Sequence, residues 1–210
     1  MILSHQKKFI YIHIYKVAGT SIRTVLQEYD DLAKSDFPFY ENVKFYFGHQ
    51  YTFLSRWAID HIKASKVKKH FPSEVYDNYF KFTFVRNPWD WQVSLYHYML
   101  QYDKHPQHEL VTKMKSFDEY IEWRIQEDLE IQKEFIYDKN NNLIVDFVGK
   151  FENLQEDFDK ICDRININKI QLPFSNKSKH GYYKDYYNEH TRKLIADAFK
   201  KDIETFQYEF

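Results

Sequence analysis

The run Phe9-Ile-Tyr-Ile-His-Ile14 is the most restrictive feature of this chain. It is short, uninterrupted, and made of β-branched and aromatic residues, which reads as a strand buried on both faces. It leads through Tyr15-Lys-Val-Ala-Gly-Thr-Ser21 into an amphipathic helix reaching about Tyr29, with Ile22, Val25 and Leu26 on one side. The same order returns downstream. A second strand is expected over Val43–Phe47, ending at Gly48-His49, with a helix from Thr52 to about His61. Phe80–Val85 reads as a third strand, and Pro88 suits the first position of a helix running from Trp89 to about Gln101. Ser116 caps a helix to about Asp128, Asn140-Asn-Asn142 makes a turn, and Leu143–Val148 reads as a strand. Helices near 153–165 and 190–203 close the chain, while the four lysines of Lys63–Lys69 read as solvated surface. Alternating strands and helices predict an α/β fold, a mostly parallel central sheet flanked by helices. With 210 residues and no linker, one domain over 1–210 is expected.

Charge and cysteine use narrow the function classes. A net charge of −1 creates no global field to recruit nucleic acid, so any anion site must be local. The single cysteine, Cys162, excludes an intramolecular disulfide framework and a cysteine-based metal site, and its apolar periodic surroundings suit a buried structural thiol. No apolar stretch is long enough to span a bilayer and no secretory apolar segment opens the chain, so a cytoplasmic protein is expected.

Two segments have the composition of anion sites. Where a strand ends and a helix begins, free N–H groups and the helix dipole favour negative charge. Lys16 to Ser21 add a point charge at Lys16, a glycine at Gly19 for a tight turn and close approach, and hydroxyls at Thr20 and Ser21. The order differs from an ATP-binding loop, in which a glycine precedes the lysine and an adjacent hydroxyl holds magnesium. Here Val17 follows the lysine, so a donor whose transferred group needs no metal fits better. The second segment has Arg86 at the end of the third strand, with Ser94 eight residues on in the following helix. A guanidinium offers a planar fork to a phosphate dianion. The same residues also suit an ordinary strand-to-helix turn and an Arg86–Asp90 ion pair. Two anion sites at the ends of two parallel strands suit a nucleotide with phosphates at its 5′ and 3′ positions.

The segment Phe9–Ile22 resembles the 5′-phosphosulfate loop of sulfotransferases that use 3′-phosphoadenosine-5′-phosphosulfate (PAPS), in particular the carbohydrate (Golgi-type) branch. Phe84–His97 is similar to that family's 3′-phosphate motif, and Lys150–Leu154, Asn176–Ser178, Tyr182–Tyr187 and Asp202–Phe210 follow its tail in order. Tyr15, Val17 and Trp91 depart from its usual residues. The resemblance implies the P-loop nucleotide-kinase-like sulfotransferase fold. It implies that Lys16, Val17, Ala18, Gly19, Thr20 and Ser21 hold the 5′-phosphosulfate, and that Arg86 and Ser94 hold the 3′-phosphate. It also implies a hydroxyl acceptor of carbohydrate type, PAP (the desulfated nucleotide) as product, no metal, and a bacterial-style cytosolic enzyme in place of the anchored Golgi form.

Sulfuryl transfer needs an acceptor oxygen in line with the leaving phosphate, so positioning and charge stabilisation dominate. Lys16 is the partner expected for the leaving oxygen. His49, after the second expected strand, is the candidate base, with a structural loop histidine as the competing reading. His13, inside a strand, reads as a satisfied core residue. His97 is placed near the adenosine, and Lys177, Lys179 and His180 in a basic aromatic loop over the nucleotide. His105 and His108 make a poor metal site. The rival functions are a P-loop kinase-like phosphotransferase and a non-catalytic nucleotide- or glycan-binding module on the same fold.

Overall fold

The computed structural model describes residues 1–34, 60–173 and 181–210. Its sheet has four strands in the order β1 (Ile2–Ser4), β2 (Phe9–Tyr11), β3 (Phe80–Val85) and β4 (Phe147–Lys150). β1 pairs antiparallel with β2, while β2–β3 and β3–β4 are parallel. The expected α/β class with a mostly parallel sheet flanked by helices is therefore observed. The chain divides into two compact units, Met1–Val85 with Glu134–Ser175, and Arg86–Lys133 with Asn176–Phe210.

In the first unit the strands carry the core. Phe9, Ile10, Tyr11, Phe82, Phe84 and Val85 are all fully buried. Lys81 breaks this apolar pattern and is tolerated because its ammonium is satisfied. Its Nζ donates to the carbonyls of Tyr76 and Tyr79 at 2.9 and 2.7 Å and pairs with Asp146 at 2.9 Å. Helix α1 (Gly19–Leu26) is tied by Arg23, whose Nη2 reaches Asp60 at 2.8 Å and whose Nη1 lies 3.8 Å from Asp30. α2 (Asp31–Lys34), α3 (Ala64–His70) and α4 (Ser73–Asn78) follow. After β4, α9 (Leu154–Ile165) buries Phe158, Ile161, Cys162 and Ile165, as its periodicity required.

The second unit is helical. α5 (Pro88–Gln101) begins at the expected proline, and α7 (Phe117–Glu127) is capped by Ser116, whose hydroxyl accepts the N–H of Glu119 at 3.3 Å. α6 (His108–Thr112) lies between them. Asn188 and Thr191 form a capping box for α10 (Glu189–Ala198), and α11 (Lys200–Phe206) follows it. Trp91 is fully buried, edge-on to Phe199 with ring centroids 6.1 Å apart.

Several expectations are corrected. The β2 strand stops at Tyr11, although Ile12 still donates to Phe82 at 2.9 Å, and the N-terminal Ile2–Ser4 adds an edge too short to read from sequence. The lysine run is solvated as expected, with Lys66, Lys68 and Lys69 facing solvent, but it lies on a helix, α3, that buries Ala64 and Val67. The Leu143–Val148 strand is displaced to Phe147–Lys150, because the register on β3 starts at Phe147; Leu143 makes only an isolated bridge with Tyr137. The long C-terminal helix is two, broken at the buried Phe199. α8 (Lys133–Ile136) was not anticipated. The strand expected at Val43–Phe47 and most of the helix expected from Thr52 lie outside the described residues.

Candidate functional site

The lysine loop belongs to the first unit and opens directly onto α1. Two of its residues adopt the left-handed region, Lys16 with φ 60° and Ala18 with φ 66°. For residues with a Cβ this costs about 1–2 kcal/mol each, so the surrounding packing must impose it. Val17, between them, is fully buried and pins the turn to the core. Ala18 is the residue before the helix and has no polar side chain, so no side chain caps α1. A turn of this kind entering a helix turns backbone N–H groups into a concavity suited to an anion. Thr20 is exposed at the loop, whereas Ser21 is buried.

Gly19 has a different reason from the one expected. It is not left-handed; the turn is made by its neighbours. A Cβ at Gly19 would stand 1.7 Å from Nε2 of His13, so the glycine is required by close approach of an imidazole. His13 is likewise not the satisfied core residue expected, since its buried Nδ1 has no hydrogen-bond partner. Its ring lies 4.5 Å from that of His61 and 5.6 Å from that of Tyr11. Burial, followed by the neighbouring His61, holds its pKa well below the ordinary histidine value. His61 is lowered to about 4, again mainly by burial, and its Nδ1 lies 3.2 Å from the carbonyl oxygen of His13. Two neutral imidazoles thus pack under the start of the loop. Sequence reading missed this pair because its members are 48 residues apart.

The second candidate anion site lies in the second unit. Arg86 is buried, and its Nε donates to Asp90 at 2.7 Å, the ion pair weighed as the competing use of this side chain. Ser94 is buried on α5, two turns along from Arg86, and the structure gives no direct bond between them. The Asn87-Pro88 turn is fixed tightly: Asn87 Oδ1 accepts from Trp89 N–H at 3.1 Å while Asn87 Nδ2 donates to the Glu209 carbonyl at 2.7 Å. His97 is bonded through Nε2 to the Tyr186 hydroxyl at 2.8 Å. His105 accepts the N–H of Gln107 in its own loop, and His108, at the start of α6, has Nδ1 2.8 Å from the carbonyl oxygen of Met99 on α5. No group of three or more His, Cys, Asp or Glu is placed to hold a metal among the described residues. His49, Lys177, Lys179 and His180 lie outside them.

A mostly parallel sheet whose β2 end carries a lysine loop into a helix, with an arginine following β3, is the framework of a nucleotide-using transferase. The chain belongs to the sulfotransferase family, whose model matches residues 1–209, and it is accordingly an enzyme of sulfuryl transfer. An uncharacterized protein of Archaeoglobus fulgidus is 32% identical over 106 residues, covering 50% of this chain and 82% of its own length. The crystal structure of mouse sulfotransferase SULT7A1 complexed with PAP is similar in fold, with a TM-score of 0.59 at 13% identity, over 96% of this chain and 86% of that one. Among the described residues, no helix is long and apolar enough to cross a membrane.

Proposed function

We propose that this enzyme, acting as one sulfotransferase domain, moves the sulfuryl group of PAPS to a hydroxyl of a carbohydrate acceptor and releases PAP. The observation that carries the reading is the turn at Lys16–Ala18: two non-glycine residues held left-handed in front of a helix with no side-chain cap. Such strain persists where the surroundings over-determine it, commonly at ligand sites. PAPS supplies an activated sulfur whose bond to the 5′-phosphate oxygen breaks as the acceptor oxygen bonds to it. Lys16, with the N–H groups and hydroxyls of Val17–Ser21, neutralises the charge left on that oxygen. Each charge-assisted bond contributes about 1.5–3 kcal/mol. Arg86 and Ser94 bind the 3′-phosphate, and His49 takes the proton of the acceptor hydroxyl. The PAP held by the structurally similar mouse enzyme supports the choice of donor.

The test is a comparison of PAP with ADP, which lacks the 3′-phosphate. Saturating PAP raises the melting temperature more than ADP, because preferential binding stabilises the fold by mass action. Arg86→Ala weakens PAP by about tenfold or more and leaves ADP within about twofold, as expected for loss of one charged contact. Parallel weakening of both ligands assigns Arg86 to its ion pair with Asp90 and removes the basis for the second anion site.

A further inference from the structure

Arg86 stands one residue beyond the ladder in which Val85 pairs with Lys150. There a side chain takes over the role of a neighbouring strand. Gln132 Oε1 accepts the N–H of Arg86 at 2.9 Å, and Gln132 Nε2 donates to the Arg86 carbonyl at 2.8 Å. One amide thus closes both backbone groups of one residue. Gln132 is held in turn: its own N–H donates to Asp202 Oδ2 at 2.9 Å, and the N–H of Lys133 donates to Asp202 Oδ1 at 2.8 Å. Gln132 and Asp202 are both fully buried. A buried carboxylate is costly unless it is bonded, and an apolar residue of similar size would pack at less cost. What the polar pair supplies is direction. A buried amide with its bonds satisfied rigidifies the peptide it grips, and a partly satisfied one is penalised.

We propose that Gln132 and Asp202 are positioning residues for donor binding: Asp202 orients Gln132, and Gln132 fixes the peptide from which the Arg86 guanidinium projects. The inference rests on the reading of Arg86 as the 3′-phosphate ligand. A planar fork meets a phosphate with full effect only when its origin is held within about 0.5 Å, which is what supporting bonds of this kind provide. The wider turn is gripped by the same C-terminal segment, since Asn87 donates to the Glu209 carbonyl and Trp89 Nε1 donates to the Arg192 carbonyl at 3.1 Å.

The experiment measures PAP and ADP dissociation constants by calorimetry for the wild type, Gln132→Met, Asp202→Asn, Arg86→Ala and the Arg86→Ala/Gln132→Met double variant. Methionine keeps the shape of Gln132 and removes both of its bonds; asparagine keeps the shape of Asp202 but sets an NH₂ group against an N–H donor. Gln132→Met and Asp202→Asn each weaken PAP by about tenfold and ADP by no more than about twofold. The double variant binds PAP no more weakly than Arg86→Ala alone, because the clamp acts through that residue. Equal losses for PAP and ADP, or additive losses in the double variant, overturn the proposal by making the pair a general packing element. Should Arg86→Ala weaken both nucleotides alike, the donor-site reading fails first and the clamp proposal with it. If Gln132→Met does not fold, Gln132→Asn keeps a neutral amide one methylene shorter, which cannot close both bonds to Arg86. It then shows a smaller PAP-selective loss, and a loss shared with ADP overturns the proposal.

Discussion

Placing one methyl group on Gly19 tests how the lysine loop is built. An alanine Cβ would lie 1.7 Å from Nε2 and 2.4 Å from Cδ2 and Cε1 of His13. Contacts below 3.0 Å are not accommodated without movement, so the ring or the loop must shift by more than 1 Å. The ring has little room, with Tyr11 stacked at 5.6 Å and His61 at 4.5 Å. The loop is held by the buried Val17 and already has left-handed residues on either side of it. Overpacking of a filled site costs about 1–3 kcal/mol. For a chain of 210 residues that lowers the melting temperature by about 2–12 °C. Urea unfolding of Gly19→Ala then shows a lower midpoint at an unchanged slope. The clash has one partner, so His13→Ala combined with Gly19→Ala recovers part of the loss, and the two changes are strongly non-additive. A Gly19→Ala variant within about 0.5 kcal/mol of wild type, or strict additivity in the pair, refutes the His13–Gly19 contact as the reason for glycine.

Other perturbations read different parts of the molecule. His13 and His61 are both held below the ordinary histidine value, His61 to about 4, so the unfolded chain takes up protons that the fold rejects. Stability is therefore complete above about pH 6.5 and declines as pH falls toward 4, by at most about 1.4 kcal/mol per pH unit for each histidine. His61→Gln flattens that slope in urea melts at pH 7 and pH 5, and an unchanged slope rules out the histidine as its source. His49→Ala lowers kcat roughly 10²–10⁴-fold at unchanged PAP affinity and removes the acidic limb of the pH–rate profile. Full turnover in that variant passes the role of base to another group. On the proposed donor site, in which Lys16 and the loop N–H groups would neutralise the 5′ group, transfer from PAPS persists in EDTA; a strict magnesium requirement overturns that assignment and restores the kinase reading.

Local pattern and local chemistry were legible in the sequence alone. Phe80–Val85, the proline at the start of α5, the Ser116 cap and the buried face of α9 follow from periodicity and capping, which act over a few residues. The residue types of the lysine loop were legible for the same reason. The conformation of that loop was not, for its left-handed turn falls on Lys16 and Ala18 and its glycine answers to an imidazole six positions earlier. The clamp on Arg86 was also invisible: Gln132 is 46 residues from Arg86, and Asp202 a further 70 from Gln132. A glutamine between strands and an aspartate near a chain end carry no periodic signal. Their roles exist only because the folded path brings one amide and one carboxylate against backbone groups that would otherwise be buried without partners, and that is a property of tertiary structure.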